Sequence, residues 1–246
     1  MPEPSSTCVC TAISPVSRRI CRLTLIMLIA LLAAAALFSL QPSIDLEFSK
    51  LFFLPDKRIF SGNGHIWVEA AYWFMPALAK AFIVLILLAF LASLFVRGER
   101  GRFWRIRTGF FLVVLAVGQG LVIDVMLKDY WNRARPHDVA EFGGRARFTP
   151  ALMPSDQCDV NCSFVSGHAA AGFFLVNIGF LCGARARRRW TLAGLVFGGI
   201  SGLARVSQGE HFLSDVVFAF FIVWFCAWLT RLIFNRLGWL PEIERI

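Results

Sequence analysis

Residues 23–40 read LTLIMLIALLAAAALFSL, an apolar run without a single charge. A helix needs roughly 20 mostly apolar residues to cross a bilayer, so this run predicts a first membrane span. Five more runs follow: about Trp67–Val96, strongest over Ala81–Val96, then Phe110–Val125, Ala169–Cys182, the Gly-rich Trp190–Ala204, and Val216–Phe234. The third is interrupted only by Gln119 and Asp124 near its end. The fourth and fifth are short and draw on flanking residues to cross. Backbone groups left unpaired in lipid are too costly for these segments to be anything but helices. The alternation of a transmembrane barrel is absent. The predicted fold class is all-α: a polytopic membrane protein with six transmembrane helices in one bundle.

Composition agrees. Of 246 residues, 57% are hydrophobic and 17% charged, and the mean hydropathy is +0.65. An ordinary soluble domain is about 45–50% apolar and about 25% charged. Disorder, collagen and a disulfide scaffold are excluded, and a soluble globule of this size could not hide so much apolar surface.

The net charge of +9 has a positional meaning. Basic residues cluster at Arg18, Arg19 and Arg22, at Arg97, Arg100, Arg102, Arg105 and Arg107, at Arg185, Arg187, Arg188 and Arg189, and at Arg231, Arg236 and Arg245. With six spans, all four clusters fall on one face, cytoplasmic by the positive-inside rule. Both termini are then inside, and nucleic acid is not the partner that the charge implies. The first run exceeds the 7–15 apolar residues of a secretory signal, and no small-x-small site follows Leu40, so it reads as an uncleaved anchor. Domain organisation follows: a cytoplasmic segment 1–22 and one membrane domain 23–246.

The opposite face receives Gln41–Ile66, Met126–His168 and Arg205–Asp215. In the first, Phe48, Phe52 and Phe53 at helical spacing fit either an interfacial helix or a packed loop. The second is too long for an idle connection. Of seven cysteines, Cys8, Cys10 and Cys21 lie on the cytoplasmic side and Cys182 and Cys226 within spans. Cys158 and Cys162 lie on the outer face, where an oxidising periplasm favours a disulfide. Two cysteines with no further metal-ligand pattern make a poor zinc site.

The outer face also carries the chemistry. Lys128, Arg133 and Arg135 fall in one cluster, Ser166-Gly167-His168 in a second, and Arg205, His211 and Asp215 in a third. Each abuts the end of a predicted span, where ionisable groups are costly and functional by default. Singly, each has a bland reading: an interfacial histidine, an i, i+4 pair, headgroup contacts. Jointly, Lys128, Arg135 and Arg205 offer three positive charges, and Ser166 and Gly167 offer a hydroxyl and a close-approaching backbone at a helix start. Such a set would cradle a phosphoryl group. Two histidines suit a two-step transfer, one attacking phosphorus and one protonating the leaving alkoxide. Asp215 lies one helical turn after His211, so His211 is the expected nucleophile, oriented by Asp215, and His168 the general acid. The outer acids Asp129, Asp138, Glu141, Asp156, Asp159 and Glu210 form no compact oxygen-ligand cluster, so neither a metal nor another cofactor is expected. Glu210 adjoins His211; His65 and His137 read as surface histidines.

These clusters resemble the three motifs of the type 2 phosphatidic acid phosphatase (PAP2) superfamily, K-x6-RP, PSGH and SR-x5-H-x3-D. Lys128, Arg135 and Pro136 match the first, Ser166, Gly167 and His168 the second, and Arg205, His211 and Asp215 the third. Val165 stands where the pattern has proline and Ala204 where it has serine. The resemblance implies a metal-independent phosphatase with a phosphohistidine intermediate, its motif core at 128–215, acting on a phosphorylated membrane lipid at the periplasmic face of a bacterial inner membrane. It implies no obligatory protein partner. The stretches 158–168 and 141–144 resemble bacterial lipid A phosphatases, which implies loss of the 1- or 4′-phosphate. Undecaprenyl pyrophosphate or phosphatidylglycerophosphate phosphatases, and lipid phosphotransferases, are alternatives. A lipid-binding or transport protein would need the cations but not the paired histidines.

Overall fold

The computed structural model describes residues 15–240, with side chains from residue 22. Cys8, Cys10 and Arg245 lie outside the described residues. The chain is mainly helical. In order come α1 (Pro15–Leu40), α2 (Ser43–Lys50), a two-stranded antiparallel hairpin of β1 (Phe53–Leu54) and β2 (Ile59–Phe60), and α3 (Ile66–Phe95). Helix α4 is continuous from Gly98 to Tyr130. Then follow α5 (Gly167–Phe173), α6 (Val176–Gly179), α7 (Ala184–Ser207) and α8 (Leu213–Arg236).

Among the described residues, four helices are long and apolar enough to cross a membrane: α1 over Arg22–Leu40, α3, α4 and α8. In α1 and α3 only 6% of the most apolar window is buried, so their side chains face outward, as spans in lipid require. Helix α8 is half buried and forms the central post, carrying Phe218, Phe221 and Trp224 into two core clusters.

The structure refines the sequence reading at three places. The second arginine cluster is mostly helical. Only Val96 and Arg97 separate α3 from α4, and Arg100, Arg102, Arg105 and Arg107 ride on the first turns of α4. Long arginine side chains keep their heads in water while their stems cover apolar surface. The run Ala169–Cys182 is not one helix but two short ones, broken at Phe174 and Leu175. Gly172 and Gly179 weaken its helix propensity, and contact with α7 sets its path instead. Thirdly, the segment after α1 holds a helix docked by its polar side, with Asp45 and Ser49 buried.

Helix α7 meets its neighbours through Gly194, Gly198 and Gly202, four residues apart on one face. A Cβ on Gly198 would stand 2.1 Å from the Phe173 ring, and one on Gly202 2.4 Å from Val216. Small residues let helices approach this closely within a membrane. Helix α4 widens over Leu115–Leu127 to an i→i+5 hydrogen-bond pattern, a distortion that recurs at functional sites. The widened stretch ends at Leu127, directly before Lys128.

The loops 41–65, 131–166 and 208–212 meet at one end of the helices. Gly62 N–H donates to Ser207 O (2.8 Å), His137 N–H to Gly209 O (3.0 Å), and Ser163 N–H to Arg133 O (2.9 Å). Phe142 packs edge to face on Phe53 and on Phe60 at 5.2 Å, and these two rings lie tilted at 5.3 Å, which ties the hairpin to the long loop. Each such pair contributes about 0.5–1.5 kcal/mol beyond its buried area.

Candidate active site

The turn between α7 and α8 positions His211. Gly209 has a φ of +73°, which lets the chain reverse directly after α7. At the start of α8 the Asp215 carboxylate accepts the Phe212 N–H at 2.8 Å, closing the first turn. His211 is buried between them. Its Nδ1 lies 2.7 Å from the Ser163 carbonyl oxygen. A carbonyl only accepts, so Nδ1 carries the proton and Nε2 keeps a free lone pair in the neutral ring. Burial pulls the His211 imidazole down to about 4, against the opposing pull of Asp215, so the ring is neutral at pH 7.

Asp215 orients His211 less directly than its spacing predicts. Its Oδ2 stands 3.8 Å from Nδ1, beyond hydrogen-bond length. The link runs through Ser163, whose hydroxyl donates to Asp215 Oδ2 at 2.5 Å while its carbonyl holds His211. Behind this pair sits Arg133, fully buried. Its Nη1 reaches Asp215 Oδ1 (2.5 Å) and Ser214 Oγ (2.9 Å), its Nη2 reaches Asp45 Oδ2 (2.8 Å), and its Nε reaches Thr149 O (2.9 Å). The guanidinium also lies 4.3 Å from the Phe212 ring centroid. Asp45 completes the net by accepting the Ser214 N–H at 2.8 Å. One buried cation thus locks two carboxylates from α2 and α8.

The three expected phosphate-binding cations approach the same end. Lys128 Nζ is 3.7 Å from Asp124 and would stand 3.0 Å from a Cβ placed on Gly167. Arg135 Nη2 donates to the Asn161 carbonyl at 2.7 Å, and burial holds this guanidinium below its ordinary value. Arg205 Nη1 donates to Gln208 Oε1 at 2.5 Å, and its guanidinium lies 4.8 Å from the Tyr72 ring centroid. Glu210 pairs with both arginines, with Arg205 at 3.1 Å. Ser166 is fully buried and caps α5, its hydroxyl accepting the Ala169 N–H at 3.4 Å. His168 stacks on Tyr72 with centroids 5.4 Å apart, and its Nε2 is buried with no hydrogen-bond partner among the described residues. Tyr72 faces both His168 and Arg205, Lys128 and His168 line one groove, and the Ser166 N–H donates to the Asp215 carbonyl at 3.2 Å, which joins the start of α5 to the His211 turn.

A groove of about 430 Å³ runs from this cluster between α3, α4 and α5. Lys128, Gly167 and His168 line one part, and Met75, Phe82, Leu115 and Phe174 another. Among the described residues, no group of three or more His, Cys, Asp or Glu is arranged to hold a metal ion. Cys158 and Cys162 form a disulfide, with Cα atoms 5.7 Å apart, in the loop leading to Ser163.

A family model described as the PAP2 superfamily matches residues 108–239, more than half of the chain. The chain belongs to the PAP2 superfamily. All three motif clusters of this PAP2 chain lie inside the matched stretch. It is similar to the lipid A 4′-phosphatase of Francisella tularensis subsp. novicida (strain U112), 35% identical over 200 residues, covering 81% of this chain and 90% of that protein. It is also similar to the lipid A 4′-phosphatase of Rhizobium leguminosarum, 28% identical over 217 residues, covering 82% and 88%. That of Rhizobium etli is 28% identical over 222 residues, covering 82% and 80%. No solved structure matches it.

Sequence reasoning missed part of the candidate site. Arg133 stood in the first motif cluster, yet nothing in its spacing separated a buried clamp from a surface cation. Asp45 lies 88 residues from Arg133 and carried no signal. Tyr72, one of only two tyrosines, sits in an apolar run where an aromatic reads as an interfacial anchor. The Glu210 bridge was half legible: its place beside His211 was evident, its direction was not.

Proposed function

We propose that this PAP2-type phosphatase removes the 4′-phosphate monoester of lipid A through a phosphohistidine on His211. The observation that carries the reading is the tautomer of His211. Its Nδ1–H is committed to the Ser163 carbonyl, so Nε2 is the nitrogen available to attack phosphorus. In the first step Nε2 bonds to phosphorus and the P–O ester bond breaks, while His168, which takes up a proton once the anionic phosphoryl group lies beside it, gives that proton to the leaving sugar oxygen. Lys128, Arg135, Arg205 and the Gly167 backbone stabilise the charge spread over the phosphoryl oxygens. In the second step water attacks the phosphohistidine, His168 takes its proton, and phosphate leaves. The 4′ position is carried over from the similar phosphatases. The apolar groove supports a lipid substrate, since it gives an acyl chain a path beside His168.

The same reading makes 23–246 one membrane domain. Helices α5 and α6 together, and α7, complete six crossings of a bacterial inner membrane. Both termini are cytoplasmic and the site opens to the periplasm, as the arginine clusters favour. The test is hydrolysis of lipid A by His211→Ala in detergent, read as free phosphate and by mass spectrometry of the product. No phosphate release by a protein that still folds is expected. Full residual turnover overturns the mechanism.

A further inference from the structure

Glu210 stands where an anion should be. Its carboxylate contacts Arg135 and Arg205 together, bridging the two guanidiniums proposed to hold the phosphoryl group. Neither arginine depends on Glu210 for its place. Arg135 is held from its other edge by the Asn161 carbonyl, through both Nε (3.2 Å) and Nη2 (2.7 Å). Arg205 is held by Gln208 and lies against Tyr72. The Glu210 side chain is 23% exposed, against 8% for Arg205; its bridging Oε2 is buried, and the rest of the side chain reaches the surface.

We propose that Glu210 is a specificity residue: its carboxylate occupies the arginine pair at rest and must be displaced by the incoming phosphoryl group. This rests on the reading of Arg135 and Arg205 as phosphate ligands. A carboxylate carries one negative charge. A phosphodiester also carries one, so exchanging Glu210 for the headgroup of an ordinary membrane phospholipid brings no net Coulombic gain. A phosphomonoester carries about −1.5 to −2 at pH 7 and makes the exchange favourable. Glu210 thereby sets a charge threshold that keeps the site from filling with the diester lipids around it. The apparent affinity of every anion is reduced by the fraction of time that the carboxylate is bound.

The experiment uses the full chain in mixed micelles, hydrolysing lipid A, with orthophosphate and phosphatidylglycerol as inhibitors. In the unsubstituted protein, orthophosphate inhibits and phosphatidylglycerol does not. In Glu210→Gln the inhibition constant for orthophosphate falls about tenfold, and phosphatidylglycerol becomes a competitive inhibitor. Glu210→Asp keeps the charge on a shorter stem and lies between the two, which also covers poor folding of the glutamine variant. An unchanged or raised orthophosphate constant in Glu210→Gln overturns the proposal, because a carboxylate that merely braces the arginines would weaken phosphate binding when removed. Arg135→Ala and Arg205→Ala separate the two readings. If they leave orthophosphate inhibition intact, it is the phosphate site itself that is wrong, whatever Glu210 does.

Discussion

Replacing Arg133 by methionine tests the buried net directly. Arg133 and Asp215 are both fully buried and Asp45 is 1% exposed. The substitution keeps most of the volume but strands two carboxylates away from water. Breaking a buried ion pair by removing one partner costs about 3–5 kcal/mol. For a chain of this size each kcal/mol moves the melting midpoint by about 2–4 °C, so the expected fall is about 6–20 °C. The assay is thermal unfolding in detergent at one fixed scan rate, since the transition need not be reversible. Adding Asp45→Asn to Arg133→Met should recover part of the loss, because one of the two stranded charges is removed. Arg133→Lys should not restore it, since one ammonium cannot reproduce a fork that reaches Thr149, Ser214, Asp45 and Asp215. A midpoint within about 2 °C of the parent for Arg133→Met would refute the reasoning, since even one kcal/mol moves it that far.

Three further outcomes follow from the site. His211 is lowered by burial from 6.5 to about 4, so the neutral nucleophile persists as pH falls through that window, and the acid limb of kcat/KM belongs near pH 4; a limb at 6.5 would mean a solvated ring. The linkage has the matching sign: the unfolded chain binds a proton that folded His211 refuses, so stability is full above 6.5 and declines as pH drops toward 4. His168→Ala should slow lipid A hydrolysis by about 10²–10⁴, the worth of a positioned proton donor. The loss should shrink with a nitrophenyl phosphate, whose leaving group needs no proton; an equal loss on both substrates would remove His168 from the general-acid role.

The two histidines depend on near and distant residues in different measure. His211 and Asp215 are four residues apart, and a single helical turn was enough to associate them on paper. Yet the carboxylate stands 3.8 Å from the ring, and the serine between them comes from the far end of another loop. Tyr72 links His168 to Arg205 from the middle of the sequence of apolar runs, where no motif marks it. The spans divide in the same way. Residues 23–40 were legible because lipid leaves apolar chain one choice. The break at Phe174 and Leu175 was not, because it answers to α7, whose glycines admit the approach.

Local chemistry, then, was written in the chain itself. Apolar run length set where helices can lie in lipid, arginine placement favoured one orientation, and residue spacing grouped three motifs that resemble those of a phosphatase family, since each of these depends only on near neighbours. Tertiary structure alone decided which cation is sealed in and which is left partly open. Arg133 and Arg135 differ by two positions, yet one is sealed between Asp45 and Asp215 and the other meets Glu210 at a half-open site. The reason is that desolvation and charge pairing are properties of surroundings drawn from distant segments, and no local pattern encodes which segments will arrive.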